Sequence, residues 1–238
     1  MVYVNLLTKR YSRGESIEVS TDEVRLRYSK TGRAKYISHL DLSATIRRAL
    51  LRAGVGLKYS EGFNPHPYIS VALPLSVGVE SHCELMDIRV VSPFSTDGLP
   101  CSINAVLPDG LYVHEASTSG RKFRDIAWIE LACRLFYESG TPDDIIKCLW
   151  HKLAEREIVI QKKTKRGVSE IDIAPYIKDV ELSEDEAVTV KLKVSAQDPS
   201  IGPEDIINAI RSLDDAALPV LTTALRIELY DKEMKVFR

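Results

Sequence analysis

The sequence is poor in cysteine, aromatics and net charge. Its 238 residues hold four cysteines (Cys83, Cys101, Cys133, Cys148), none in Cys-x-x-Cys spacing. That excludes a disulfide scaffold and the paired-thiolate zinc sites, and fits free thiols in a reduced, cytoplasmic setting. No Cys-x-x-x-Cys-x-x-Cys motif occurs, so an iron–sulfur cluster of the radical type has no ligands here. No apolar run approaches the length of about 20 residues that a membrane helix requires, so no membrane partner is expected. The start, Val2 to Leu7, meets Lys9 and Arg10 too soon for a secretory signal. Aromatics make up only 7% of the chain, and no strand pair is aromatic-rich in the manner of an RNA-stacking sheet. Thirty-two basic residues balance thirty-four acidic ones, which excludes a uniformly basic coat, so any anion site must be local. Walker A, GxSxG, HExxH and dinucleotide glycine patterns are all missing, and no cofactor is expected.

What is present is a core-forming composition, 45% hydrophobic, organised in two similar halves. After an arm of residues 1–22, Val24, Leu26 and Tyr28 alternate with Arg25, Arg27 and Ser29 in the period of a half-buried strand. Ser38 followed by Asp41 predicts a capped helix that runs on Leu42, Ile46, Ala49 and Leu50 and stops at Gly54. Strands are predicted over residues 69–73 and 84–90, then a helix over 102–107 and a strand over 111–115. Ser117 to Asp125 reads as a linker. The order then repeats. A strand carries Ile129, Leu131, Cys133 and Leu135, and a helix opens at Thr141-Pro142-Asp143-Asp144. Strands follow over 157–161 and 188–194, a second helix opens at Gly202-Pro203-Glu204-Asp205 and reaches Leu213, and a last strand begins at Leu221. The fold expected is α+β, with two ferredoxin-like β-α-β-β-α-β units in tandem, residues 23–117 and 126–238, each with its own antiparallel sheet.

Charge is concentrated in the first unit. Residues 24–66 hold nine basic side chains (Arg25, Arg27, Lys30, Arg33, Lys35, Arg47, Arg48, Arg52, Lys58) against Asp41 and Glu61. Such a cluster favours a polyanion through counterion release; the alternative is a solvated helix face. Arg25 and Arg27 are expected on the sheet face opposite the helices, as an open platform. The loop Tyr59-Ser60-Glu61-Gly62-Phe63-Asn64-Pro65-His66-Pro67 is stiffened by its prolines and would hold Asn64 and His66 toward a ligand. It is longer than a tight connection needs and is expected beside the helix start at His39. There His39 and His66 are candidates for acid and base in RNA strand cleavage. His39, His66, His82 and Cys83 are chemically able to bind a metal but match no standard zinc spacing, so no metal site is assigned. His114 and His151 are expected to be packing positions. A second basic run, Lys162, Lys163, Lys165 and Arg166, is expected at a hairpin tip. With Lys191, Lys193 and Arg226 it would extend the positive surface.

Several of these segments resemble a bacterial radical-SAM-linked domain family. They are Tyr36-Ile37-Ser38-His39-Leu40-Asp41, Arg47-Arg48-Ala49-Leu50-Leu51-Arg52-Ala53-Gly54, the Tyr59 to Pro67 loop, Ala72 to Ser81, and Lys162 to Gly167 with Ile171-Asp172-Ile173. The likeness covers the chain from about Val24 onward. It implies association with a cobalamin-binding type of radical SAM enzyme and a link to RNA or ribosome-related genes. The reading that follows is a non-catalytic RNA-binding or substrate-presenting partner of a radical SAM protein. The RNA- or phosphate-binding residues would be Arg25, Arg27, Arg47, Arg48, Arg52, Lys58, Asn64, His66, Lys162, Lys163, Lys165 and Arg166. A metal-independent endoribonuclease, by analogy with CRISPR RNA-processing proteins built from two ferredoxin-like units, and a protein–protein adaptor are the alternatives.

Overall fold

Alternation of Val24, Leu26 and Tyr28 with polar residues makes an extended chain, and Thr21–Lys30 is strand β1. The computed structural model describes residues 20–118, 120–138, 144–164, 167–211 and 218–238, the side chains of 163 and 164 excepted. Residues 1–19 of the expected arm therefore lie outside the described residues, while Thr21 and Asp22 belong to β1. The helix α1, His39–Arg52, begins as the sequence predicts: the Ser38 hydroxyl accepts the Asp41 N–H at 3.2 Å and donates to the Asp41 carboxylate at 2.7 Å. Leu42, Ile46, Ala49 and Leu50 are buried beneath it. Gly54, at φ +79°, ends it in a backbone region that favours glycine. Strand β2 is Ile69–Val71, β3 Glu80–Val91, helix α2 Leu99–Asn104 and β4 Leu111–Thr118. β3 pairs antiparallel with both β1 and β2, and β1 with β4, which gives the ferredoxin-like order β4-β1-β3-β2.

The second unit repeats that order with an insertion. Its sheet is formed by β5 (Trp128–Phe136), β8 (Ile177–Glu184), β9 (Val188–Ser195) and β10 (Leu221–Tyr230), in the order β10-β5-β9-β8. Helix α3 is Ile145–Leu153 and α4 is Pro203–Arg211. In α4 the Asp205 carboxylate accepts the Gly202 N–H at 2.9 Å, which caps the start. The Thr141-Pro142-Asp143 start expected for α3, and Leu213 beyond α4, lie outside the described residues. The strand expected over 157–161 is not part of the sheet. It belongs to a separate hairpin, β6 (Val159–Thr164) with β7 (Gly167–Asp172). The sheet strand in that position is β8, which the sequence hides: its register slips between Lys178 and Glu181, where Asp179 takes φ +49°, so its apolar alternation is broken.

The two sheets are not separate. β10 runs parallel to the start of β3, Leu225 opposite Glu80 and Arg226 opposite Ser81, so eight strands form one sheet. At that junction Arg226 donates to the Glu84 carboxylate and to the Leu73 carbonyl, both at 2.8 Å, and the Glu84 side chain is only 1% exposed. Lys30, also buried, donates to the Ile37 carbonyl at 2.9 Å. Burial lowers its pKa, against the opposing pull of Glu84.

Glu84→Gln is expected to cost about 3 kcal/mol in urea unfolding, because it leaves a buried guanidinium without its counter-charge. Glu84→Leu combined with Arg226→Met should regain most of that loss; a double variant as unstable as the single would remove the ion pair from the explanation. The four thiols are free, and burial pushes those of Cys83 and Cys133 up to about 12. A thiol reagent at pH 8 should therefore label exposed Cys101 first and reach Cys83 and Cys133 only on unfolding.

Candidate nucleic-acid interface

The structure divides the nine cations of residues 24–66 into two groups. Arg25 is buried, and its Nε and Nη2 meet both carboxylate oxygens of Asp87 at 2.7 and 2.8 Å. Its guanidinium also donates to the carbonyls of Arg121 and Arg238 and lies over the rings of Phe123 and Phe237, 4.6 and 5.4 Å from their centroids. Arg27 pairs with Glu228 at 2.8 Å. The open platform expected for these two is thus filled by the connection between the units and by the chain after β10, and neither is an available phosphate ligand. The sequence missed this because Phe123 and Phe237 stand far from any periodic pattern. Lys30 is committed to Ile37, and Lys35 lies 3.5 Å from Glu80.

The other group is Arg33, Arg47, Arg48, Arg52 and Lys58, which form no ion pair among the described residues. Arg48 makes one long hydrogen bond, 3.4 Å to the Thr45 hydroxyl. Arg48 and Arg52 border a groove of about 530 Å³ whose other wall is Val106, Leu107 and Pro108 at the exit of α2. Leu42, Ile46, Ala49 and Leu50 take the core side of α1, so a 3.6-residue period turns the arginines away from the sheet.

The Tyr59 to Pro67 loop is an excursion from the sheet edge. Lys58 donates to the Arg89 carbonyl, Arg89 to the Tyr68 carbonyl, and Tyr68 to the Lys58 carbonyl, so the chain leaves and rejoins β3 at one point. The loop is clasped internally: Ser60 N–H donates to the His66 carbonyl at 2.8 Å, His66 N–H to the Ser60 hydroxyl at 3.1 Å, and His66 Nδ1 lies 3.0 Å from that hydroxyl. Gly62 turns the tip at φ +115°, and Phe63 next to it is fully exposed. Asn64 is exposed as well. His66 thus has a structural task through Nδ1, while Asn64 is presented to solvent.

The loop does not lie beside His39. Its anchor is at Arg89, and Gly56 accepts from Val91 where the chain has just left α1. His39 opens α1 at the other end of the sheet, where Lys30 meets Ile37, and fourteen helical residues span about 21 Å. The acid–base pair His39/His66 is not assembled. His66 instead shares a hollow of about 210 Å³ with Glu23, Tyr68 and Arg89, the last stacked 5.0 Å over the Tyr68 ring. Arg89 and Phe63 were not singled out in the sequence; Arg89 sits at an outward position of β3, which its alternation with Ile88 and Val90 could have marked. His114 and His151, expected to be packed, are exposed.

In the second unit the expected basic surface is largely neutralised. Lys162 donates to Asp205 and to the Ser200 carbonyl. Lys191 pairs with Glu130 and Glu181, Lys193 with Asp179, and Arg226 is the buried partner of Glu84. The hairpin expected around Lys162 is present as β6 and β7, but the side chain of Lys163 and all of Lys165 and Arg166 lie outside what the structure describes.

Residues 23–203 match the model of a family described as "Uncharacterized protein conserved in bacteria (DUF2344)". The chain belongs to this family. The match takes in α1, the loop and the β6–β7 hairpin, and ends at Pro203, the first residue of α4. Family membership therefore spans both groups of arginines in the first unit. No curated protein matches. Among solved structures, the chain is similar to one in "Crystal Structure of a Cbf5-Nop10-Gar1 Complex" at 14% identity and a TM-score of 0.45; the likeness covers 87% of this chain and 48% of that one, so this chain spans about half its length. A second, "Crystal Structure of an Unknown Protein from Galdieria sulphuraria", is 10% identical with a TM-score of 0.25, over 89% of this chain and 99% of that one.

The two roles within the loop are separable. Phe63→Ala should leave the thermal midpoint unchanged, because an exposed side chain contributes little stability. Gly62→Ala, forced to φ +115°, should lower it measurably. A Phe63→Ala midpoint that falls as far as that of Gly62→Ala would mean that the ring packs in solution.

Proposed function

We propose that the protein is a non-catalytic, cytoplasmic RNA-binding partner of a radical SAM enzyme, presenting RNA or an RNA-linked substrate to it. One observation carries the RNA part: Arg47, Arg48 and Arg52 stand on one helix without acidic partners among the described residues, while Arg25, Arg27 and Lys35 a short distance away are each ion-paired. An unpaired cation that meets a phosphate releases condensed counterions from the strand, whereas a paired one must first give up its carboxylate. Phe63 and Asn64 on a clasped loop add a ring for stacking and an amide for hydrogen bonding at small entropic cost. The radical SAM part rests on the resemblance of the α1, loop and Ala72 to Ser81 motifs.

A protein–protein adaptor is the second reading, favoured by Tyr36 and Leu40, 66% and 79% exposed at the start of α1, with Val77 58% exposed. Gly78 donates to the Lys35 carbonyl, which brings Val77 to that place. Such an apolar group fits a protein neighbour. The endoribonuclease reading loses its support with the separation of His39 from His66.

Arg48→Glu combined with Arg52→Glu is expected to weaken binding of single-stranded RNA at least tenfold at moderate salt without lowering the thermal midpoint. Lys162→Glu should weaken binding less and cost stability, since it sets a carboxylate against Asp205. RNA affinity equal to the parent in the α1 double variant would refute the reading; retained capture of a radical SAM protein by that variant would favour the adaptor.

A further inference from the structure

At one end of the second sheet, Trp128 opens β5 opposite Ser195 of β9 and Tyr230 of β10. Around it lies a groove of about 560 Å³, to which Tyr176, Arg124, Lys178 and Lys232 contribute. The wall is braced rather than loose: Gln197 Nε2 donates to the carbonyls of Phe123 and Ile126 at 3.0 and 2.9 Å, and the Ser195 hydroxyl donates to the Gln197 carbonyl at 2.9 Å. The volume lies within the range of small-molecule sites, roughly 300 to 1,000 Å³.

Three cations here stand apart from the paired lysines of the unit. Lys147, Lys152, Lys162, Lys191, Lys193 and Lys235 all pair with carboxylates. Arg124, Lys178 and Lys232 make no ion pair among the described residues. Asp198 is the one acidic residue lining the groove with them. The Lys178 ammonium rests on the Trp128 ring, 3.9 Å from its centroid, for want of a carboxylate. An occupant of the groove therefore meets an aromatic face and three cations against the carboxylate of Asp198; Arg124 and Lys232 also border an adjoining hollow with Asp125, Asp231 and Glu233. A cationic guest would be repelled by three like charges, and a purely apolar one would leave them unmatched.

We infer that this groove is a nucleotide-binding site: the base stacks on Trp128 in place of the Lys178 ammonium, and Arg124, Lys232 and the released Lys178 meet the phosphate. Aromatic stacking with flanking cations is the sequence-tolerant chemistry by which single nucleotides of a strand are held. The site is distinct from α1 and does not rest on the reading of that helix. The nucleotide is either free or part of an RNA strand.

The chain has two tryptophans, so Trp150→Phe leaves Trp128 as the only indole reporter; Trp150 is partly exposed and the change is tolerable. This protein would be titrated with adenosine monophosphate, ribose 5-phosphate and an oligoadenylate hexamer. Quenching of Trp128 fluorescence by the monophosphate assigns the site to a free nucleotide, and quenching by the hexamer alone assigns it to a strand. Either supports the proposal provided that ribose 5-phosphate does not quench and that Arg124→Gln with Lys232→Gln raises the Kd at least tenfold. No quenching by either adenine ligand, or equal displacement of both by ribose 5-phosphate, would overturn it. The same titration in Arg48→Glu/Arg52→Glu keeps the two sites apart. Quenching that persists there supports a second site. RNA binding that depends on α1 without Trp128 quenching in the parent overturns the groove and leaves the α1 reading standing.

Discussion

A guanidinium removed from water must be matched by a carboxylate or by carbonyls, and the arrangement of this protein depends on two places where that happens. Arg226 meets Glu84 where β10 of one unit touches β3 of the other. Arg25 meets Asp87 on β3 and reaches carbonyls of the connection and of the chain after β10. Neither pair is a strong source of net stability, since desolvation offsets much of the attraction. What they contribute is specificity. A β10 shifted along β3 would separate buried Arg226 from Glu84 and leave each without its counter-charge, so the register of a contact only two residue pairs long is enforced by the cost of any alternative. Phe237 reinforces it, because its ring lies under both Arg25 and Arg121.

The same requirement sorts the protein's cations by task. Where a carboxylate stands within reach, as for Arg27, Lys35, Lys191 and Lys193, the positive charge belongs to the fold. On α1 and around Trp128, by contrast, the cations have no carboxylate partner among the described residues. A chain with a formal net charge of -2 thus still holds cations, Arg48 and Arg52 among them, that have no carboxylate partner among the described residues. The loop from Tyr59 to Pro67 follows a related logic. Its polar groups are used up internally by the Ser60–His66 clasp, which frees Phe63 and Asn64 for contact.

Much of the fold was legible because it rests on local signals. Ser38 with Asp41, Gly54 after Leu50, and the alternation along β1, β3, β9 and β10 each name their element with a nearest-neighbour rule. The strand β8 was not legible, because a bulge at Asp179 interrupts its period and its charged residues read as a loop. The site was legible in part. Arg47, Arg48 and Arg52 follow from helical period alone, and so does the exposure of Arg48 and Arg52, Arg47 being half-buried. The burial of Arg25 does not, since its partners come from residues 87, 121, 123, 237 and 238, distant contacts that no local pattern encodes. His39 and His66 were brought together in expectation only by loop length, which fixes reach but not direction. The loop turned out to be tied to Arg89.

The division of cations into paired and available ones is tested most directly by the salt dependence of binding to single-stranded RNA. Each cation that meets a phosphate adds about 0.7 to the slope of log K against log salt concentration. Arg47→Gln and Arg48→Gln should each lower the parent's slope by roughly that amount, whereas Arg27→Gln made together with Glu228→Gln should leave it unchanged. An equal fall in slope for the Arg27/Glu228 double variant, or no fall for the α1 variants, would contradict the account.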